Sequence, residues 1–586
     1  MNAVTSPGLT LAALLLAAVT TVAIGAYGIR VARTTSDFLV ASRGVGARLN
    51  AAAISGEYLS AASFLGVAGL IAKYGADALW YPLGFTAGYL GLLLFVAAPL
   101  RRSGAYTVPD FAEFRLGSAR LRRLAALLVV LVCALYLIPQ FQGAGLTLRI
   151  LLGVPDWVGA VAVGVIVIAN VAAGGMRSIT FVQAFQYWLK LTALALPAMV
   201  LLGHFLGADK ELGAPAPPTV TQRTTVDITT DVTVRLAGDV PQQMSIIGRL
   251  DGRELDGPVV LTPGDHELAS GTTLILEAGA AVPVVAGAPA DNRSWLLPGG
   301  GFGGPHPMYQ VYSLIVALFL GAMGLPHVLV RFYTNPDGRT ARGTALAVIG
   351  LVGAFYLFPV LLGVMSRLYV PQLLITGTSD AAVLLLPGTV LSGLGGKLLA
   401  ALAAAGAIAA FLSTSSGLLV SIAGVLSTDV LRGRIRDFRA AALVAGAVPL
   451  GLSFAVATLD VSRTVGLAFS VAASTLCPLL VLGIWWRGLT ATGAAAGMIT
   501  GGLIAGGAVA VSVLGTVSDT VAHGWPAAIL SYPAAVSVPL AFGAMILVSK
   551  LSRLQHTREI ARIFVRMHAS ERLGMGADRE GGLRSS

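Results

Sequence analysis

Apolar runs long enough to cross a bilayer recur along the chain, with short polar stretches between them. A helix rises 1.5 Å per residue, so ~20 apolar residues cover the ~30 Å hydrocarbon layer of a membrane. By that measure, runs near 8–30, 50–72, 78–100, 124–147, 156–173, 182–206, 309–330, 343–366, 397–426, 440–458, 464–486, 491–515 and 526–549 predict thirteen transmembrane helices. Met1 to Ala26 lacks the basic segment of a secretory signal, and the first positive residue, Arg30, follows the apolar run. That stretch reads as a first membrane helix rather than a cleaved leader. The pattern changes between residues 207 and 308. There, Thr225–Leu236 and Pro258–Leu276 alternate apolar and polar side chains as strands do, with a Pro-Gly turn signal at 263–264. Gly/Pro-rich flanks at Gly213–Thr219 and Pro298–Pro307 read as linkers. The expected organisation is helices one to six in 1–206, a small β-rich insertion in 207–308, helices seven to thirteen in 309–549, and a basic tail in 550–586.

Composition and charge agree with this and add an orientation. Hydrophobic residues make up 56% of the 586 and charged residues only 11%, against about a quarter charged in a soluble domain. The net charge of +11 lies between apolar runs rather than on a soluble face, which argues for a membrane surface and against nucleic acid. Loops with Arg30, Arg33, Arg43 and Arg48, with Arg101 to Arg123, with Arg331, Arg339 and Arg342, and with Arg432 to Arg439 share one side with the tail. The other side holds only Lys73, Arg149, Arg367, Lys397 and Arg463 in its short loops. The positive-inside rule then puts the N-terminus and the acidic insertion outside and the C-terminus in the cytoplasm. Arginine-dominated basic usage, with abundant Ala, Gly, Val and Leu, fits a high-GC bacterium and hence its inner (plasma) membrane. Cys133 and Cys477 lie in apolar runs without metal-ligand spacing. No catalytic triad pattern or phosphate-binding glycine loop is present, so no enzyme activity is expected.

Candidate chemistry sits where polar residues interrupt the spans. The second span carries Glu57 between Gly56 and Tyr58, with Ser55, Ser60 and Ser63 nearby. A carboxylate in hydrocarbon marks a transport function or a buried pair. The seventh span reads L-G-A-M-G-L-P-H from Leu320 to His327, with two glycines and Pro326. A helix opened there exposes carbonyls to a cation and N–H groups to an anion. The ninth span places hydroxyls at Ser413, Thr414, Ser415 and Ser416, suited either to a hard cation or to helix packing. The fourth holds Tyr136, Pro139, Gln140, Phe141 and Gln142, which line a solute cavity or pack between helices. His327 reads more simply as a packed residue than as a proton relay.

These residues resemble the sodium:solute symporter family, and within it the cation/acetate (monocarboxylate) symporters. The resemblance rests on T-S-D-F-L-V-A-S-R at 35–43, E-Y-L-S-A-A-S-F-L-G at 57–66 and Y-T-V-P-D-F at 106–111. It continues with G-G-M at 174–176, V-Q at 182–183, G-A-M-G-L-P-H-V-L-V-R-F at 321–332 and S-T-D at 427–429. The resemblance implies an all-α polytopic LeuT-type fold with a core of two inverted five-helix repeats, in spans two to six and seven to eleven. It implies a sodium site on the carbonyls of Ala51, Ile54 and Ala410 with the hydroxyls of Ser413 and Thr414. Some members carry acids where this chain has Ala53, and near Thr180 and Phe181, which leaves Na+ or H+ as the coupling ion. The expected solute is a short monocarboxylate such as acetate, propionate or pyruvate. Its contacts are drawn from Glu57, Tyr58, Gln140, Gln142, Gly321, Met323 and Gly324. Two alternatives stand beside this: an amino-acid solute such as proline, and a sensor using the external module. A tail too short for an output domain weighs against the sensor. Solute, ion and oligomeric state are not fixed by sequence.

Overall fold

The structure is a computed structural model describing residues 6–31, 37, 40–207, 212, 217–228, 231–236, 241–299, 306–375, 379–431, 434–455, 461–514, 524–552 and 557–569. Most of the two Gly/Pro flanks, part of the 35–43 motif, Arg33, Arg432 and the end of the basic tail lie outside the described residues. Eleven helical runs among the described residues are long and apolar enough to cross a membrane, against the thirteen expected. The difference has a geometric origin. Asp156–Leu206 is one run of 51 residues, but Gly175 (φ 58, ψ −159) breaks it between the stretches predicted at 156–173 and 182–206. Ala62–Arg102 is a run of 41 residues, interrupted at Gly75–Leu79. Gly75 has φ 63, and an added Cβ would strike the Trp295 carbonyl oxygen, so only glycine fits that turn.

Both helices singled out as interrupted are broken. Ala47–Tyr58 ends where Leu59 leaves helical geometry (φ −74, ψ 82), and the chain resumes helically after Ser60. The second, Pro307–Gly324, stops at an extended Leu325 (φ −71, ψ 115) and continues as Pro326–Phe332. Proline disfavours helical geometry in the residue before it and suits the first position of a new helix, so Leu325–Pro326 favours this break.

The insertion is a sheet of seven antiparallel strands. They are β1 (Thr224–Asp227), β2 (Val232–Leu236), β3 (Gln242–Leu250), β4 (Arg253–Leu261), β5 (Gly264–Leu268), β6 (Thr273–Leu276) and β7 (Val284–Val285). The order is β1-β6-β3-β5-β2-β7, with β4 on β3. Asp251 (φ 49) and Gly252 (φ 77) form the two-residue turn joining β3 to β4, the left-handed pair a tight hairpin requires. The alternating residues Val234, Leu236, Met244, Ile246, Leu274 and Leu276 make one core, which Ala72, Leu374 and Ile375 of the helical part complete.

One cation rivets sheet to helices. Arg367, at the end of Gly338–Tyr369, donates to Asn292 Oδ1 (2.8 Å), the Ala72 carbonyl (3.1 Å) and the Pro289 carbonyl (2.9 Å). Its guanidinium lies 5.2 Å from the Trp295 ring, whose Nε1 donates to the Ile71 carbonyl (2.7 Å). Arg367→Ala is expected to cost about 2–3 kcal/mol, the scale of lost hydrogen bonds to a buried charge. Limited proteolysis should then cut faster around 289–296. A cleavage rate equal to wild type would show that the guanidinium does not hold the sheet.

Candidate transport site between two broken helices

The first broken helix presents Glu57 one residue before its end, and the second carries Arg331 in its last turn. Arg331 Nε donates to Glu57 Oε2 at 2.6 Å, and both side chains are buried. A buried pair holds only when the remaining hydrogen-bonding capacity is also met. Here Arg331 also donates to Thr180 Oγ1 (2.8 Å) and to Gln183 Oε1, and its carbonyl accepts from Asn50 Nδ2 (3.0 Å). Gln183 Nε2 in turn donates to the Ser413 carbonyl (2.8 Å). Four helices therefore meet on one network. Two glycines permit the approach: a Cβ at Gly56 would strike the Gln183 carbonyl, and one at Gly417 would strike the Glu57 carboxylate.

Two turns beyond Gln183 on the same helix, Lys190 reaches the opened backbone. Its ammonium donates to the carbonyls of Gly56 and Leu59, the latter at 2.6 Å, and to Ser413 Oγ at 2.9 Å. Thr414 Oγ1 donates to the Glu57 carbonyl (2.6 Å), and Ser413 Oγ to the Ala410 carbonyl (3.1 Å). Of the residues expected to bind sodium, the structure brings Ser413, Thr414 and Ala410 together against the break. Ala51 and Ile54 lie inside the continuous part of Ala47–Tyr58, where their carbonyls belong to the helical ladder. The Glu57 carbonyl meets the hydroxyl helix directly, while those of Gly56 and Leu59 reach it through the Lys190 ammonium.

Near the breaks lies a buried aromatic cluster. Tyr58 packs on Tyr89 (4.7 Å between centroids) and Phe469 (6.3 Å), and its hydroxyl donates to the Phe85 carbonyl (2.9 Å). Phe85 lies 5.1 Å from Phe469, and Tyr136 lies 6.1 Å from Phe469 and 5.4 Å from His327. Gln140 follows Tyr136 by one helical turn and is buried. Neither amide atom of Gln140, nor either ring nitrogen of His327, has a hydrogen-bond partner among the described residues. Beyond Gln140 the same helix face lines a small cavity with Gly143, Thr147, Ala61, Leu65 and Asp380.

Other predicted solute residues fall elsewhere. Gln142 points to the opposite side, donating to the Ser453 carbonyl (3.1 Å). Gly321 and Gly324 lie against the backbone of Val461–Trp485, where added Cβ atoms would come within 2.6 Å of the Phe469 carbonyl and 2.5 Å of the Ala472 carbonyl. Met323 is buried against Gly91. These three make helix contacts rather than cavity wall. Sequence reasoning missed Arg331, Lys190, Thr180, Gln183 and Asn50. The signal was present for two of them, because a lysine inside a span and an arginine ending the longest motif are both costly in lipid.

Comparison with known proteins places this arrangement. The model described as "SSF: Sodium:solute symporter family" matches residues 38–249 and 288–501. A Corynebacterium glutamicum protein named "Monocarboxylic acid transporter" is 31% identical over 538 residues, 88% of this chain and 86% of that one. The "Uncharacterized symporter YwcA" of Bacillus subtilis (strain 168) is 30% identical over 523 residues, 87% and 88% of the two chains. A solved structure of a Na+-coupled sialic acid symporter in a substrate-bound outward-open state superposes with a TM-score of 0.61, over 93% of this chain and 98% of that chain. At 14% identity that match speaks for the fold, a mostly helical, LeuT-like one. The chain thus belongs to the sodium:solute symporter family and is an integral membrane, cation-coupled transporter of a small solute, not an enzyme.

Proposed function

We propose that this transporter imports a short monocarboxylate of the acetate, propionate or pyruvate type together with Na+ or H+. We read thirteen spans by dividing the two long helical runs at Gly75–Leu79 and at Gly175 and counting the two halves of each broken helix as one span, a reading these two interruptions support. Spans two to six and seven to eleven then form the two inverted repeats, each opening with a broken helix. The N-terminus and the sheet face outward from a bacterial inner membrane, and the tail is cytoplasmic.

The observation carrying the solute class is a buried aromatic cluster around Tyr136, with the His327 imidazole beside it and the Gln140 amide one helical turn along, neither having a hydrogen-bond partner among the described residues. Polar atoms left unpaired in a buried site are costly unless a ligand meets them. A carboxylate accepts from an amide N–H and an imidazole N–H, while its short apolar remainder packs on Tyr136 and Phe469. The relative named as a monocarboxylic acid transporter supports the same class. Glu57 and Tyr58 frame the site from below and beside, rather than as direct ligands.

The test is uptake into proteoliposomes of acetate, propionate, pyruvate and proline, with sodium and pH gradients imposed separately. Gradient-driven accumulation of the carboxylates is expected, and Gln140→Leu should raise their KM about tenfold or more, the weight of ~1.4 kcal/mol in binding. Accumulation of proline alone, or of no solute, would overturn the assignment.

A further inference from the structure

The cation site expected for this family draws carbonyls from the first broken helix and hydroxyls from the helix Gly393–Val425. That meeting point is present here, but its oxygens are already engaged. The Lys190 ammonium contacts the Gly56 carbonyl, the Leu59 carbonyl (2.6 Å) and Ser413 Oγ (2.9 Å). The hydroxyl hydrogens are also committed, Ser413 to the Ala410 carbonyl and Thr414 to the Glu57 carbonyl. An ammonium has three donors, and three acceptors meet them. Lys190 is buried, and so is Glu57, the carboxylate of this network. That carboxylate is already bonded to Arg331. A free sodium ion added here would make a third cation beside a single anion in a low-dielectric setting, where like charges repel strongly. The residues present do not fit sodium at these oxygens.

We infer that Lys190 is a tethered cation filling this cage, so that the chain's own ammonium, not free sodium, bridges the broken helix to Ser413. This rests on the symporter reading above and sharpens it: sodium does not act through the Ser413 cage of the native protein. Lys190 thus holds the first broken helix against Gly393–Val425 permanently, where a dissociable ion would hold it only when bound. Structurally, the lysine supplies both the charge and the donors, and its stem is anchored on the helix that also carries Gln183 and Thr180.

The experiment compares the purified full-length chain in sodium chloride and in choline chloride at equal ionic strength, by thermal shift and by sodium-22 binding. Wild type should show no sodium-specific stabilisation at Ser413. Lys190→Ala, which vacates the oxygens, should gain saturable sodium binding, lost again in Lys190→Ala/Ser413→Ala. In uptake assays the Lys190→Ala chain should show solute affinity raised about tenfold by sodium, within the usual range of coupling between two ligands. Sodium binding by wild type that Ser413→Ala removes would overturn the inference, and that measurement needs no Lys190 variant to fold. Because sodium binding is read without solute, a failed uptake assay would count against the symporter reading alone.

Discussion

Arg331→Met is expected to abolish solute accumulation and to lower the stability of the purified protein by about 3–5 kcal/mol, the cost of leaving one member of a buried ion pair unpaired. The loss has a specific carrier. Without the guanidinium, Glu57 Oε2 loses its 2.6 Å donor, and Thr180 and Gln183 lose theirs. Lys190 cannot substitute, because its ammonium is committed to Gly56, Leu59 and Ser413. The two broken helices lose their direct polar link. Removing both charges with Glu57→Leu/Arg331→Met should return most of the stability, since apolar residues of similar volume replace a buried pair at little cost. Transport should stay lost, because the link itself is gone. Thermal unfolding in detergent and uptake in proteoliposomes check the two halves separately. A single variant with wild-type unfolding temperature and uptake would show that the pair is incidental.

How much of this was legible in the chain follows from what each feature depends on. Spans are local, because twenty consecutive apolar residues state their own length, so their positions could be read directly. The break at Leu325–Pro326 is equally local. Glu57 could be flagged as costly, but its partner lies 274 positions away, and no periodicity encodes a contact of that range. Residue arithmetic could have separated Gln140 from Gln142: side chains two apart on a helix face different ways, and the structure leaves one buried without a partner among the described residues and bonds the other to Ser453. The sodium-site carbonyls were placed at Ala51 and Ile54 by motif position, whereas the helix runs on to Tyr58 and releases its carbonyls at Gly56, Glu57 and Leu59. Where a helix unwinds depends on which neighbours donate to its freed carbonyls, here Lys190 and Thr414, and those neighbours come from elsewhere in the chain. The sheet was legible from alternation and turn signals, but its seam to Arg367 and Trp295 was not.

Gly417→Ala is the smallest change expected to disable the site. Its added methyl would fall on the Glu57 carboxylate, at the Oε1 edge that has no hydrogen-bond partner among the described residues. Helix Gly393–Val425 is buried along this stretch and cannot retreat without unseating Ser413 and Thr414, so the carboxylate must move. Moving it breaks the Arg331 contact without deleting either charge. The expected cost is about 1–3 kcal/mol in stability, the range for one methyl forced into a packed interior, with uptake reduced at least tenfold. A steric origin has a signature that a generic helix defect lacks. In a Glu57→Ala background the methyl meets a cavity instead of a carboxylate, so Gly417→Ala should there be nearly neutral in stability. The double-mutant cycle should then show coupling on the order of 1–3 kcal/mol between positions 57 and 417, well above the few tenths expected of independent sites. Additive losses would instead place the damage in the helix itself, and the close approach at Gly417 would lose its assigned role in seating the ion pair.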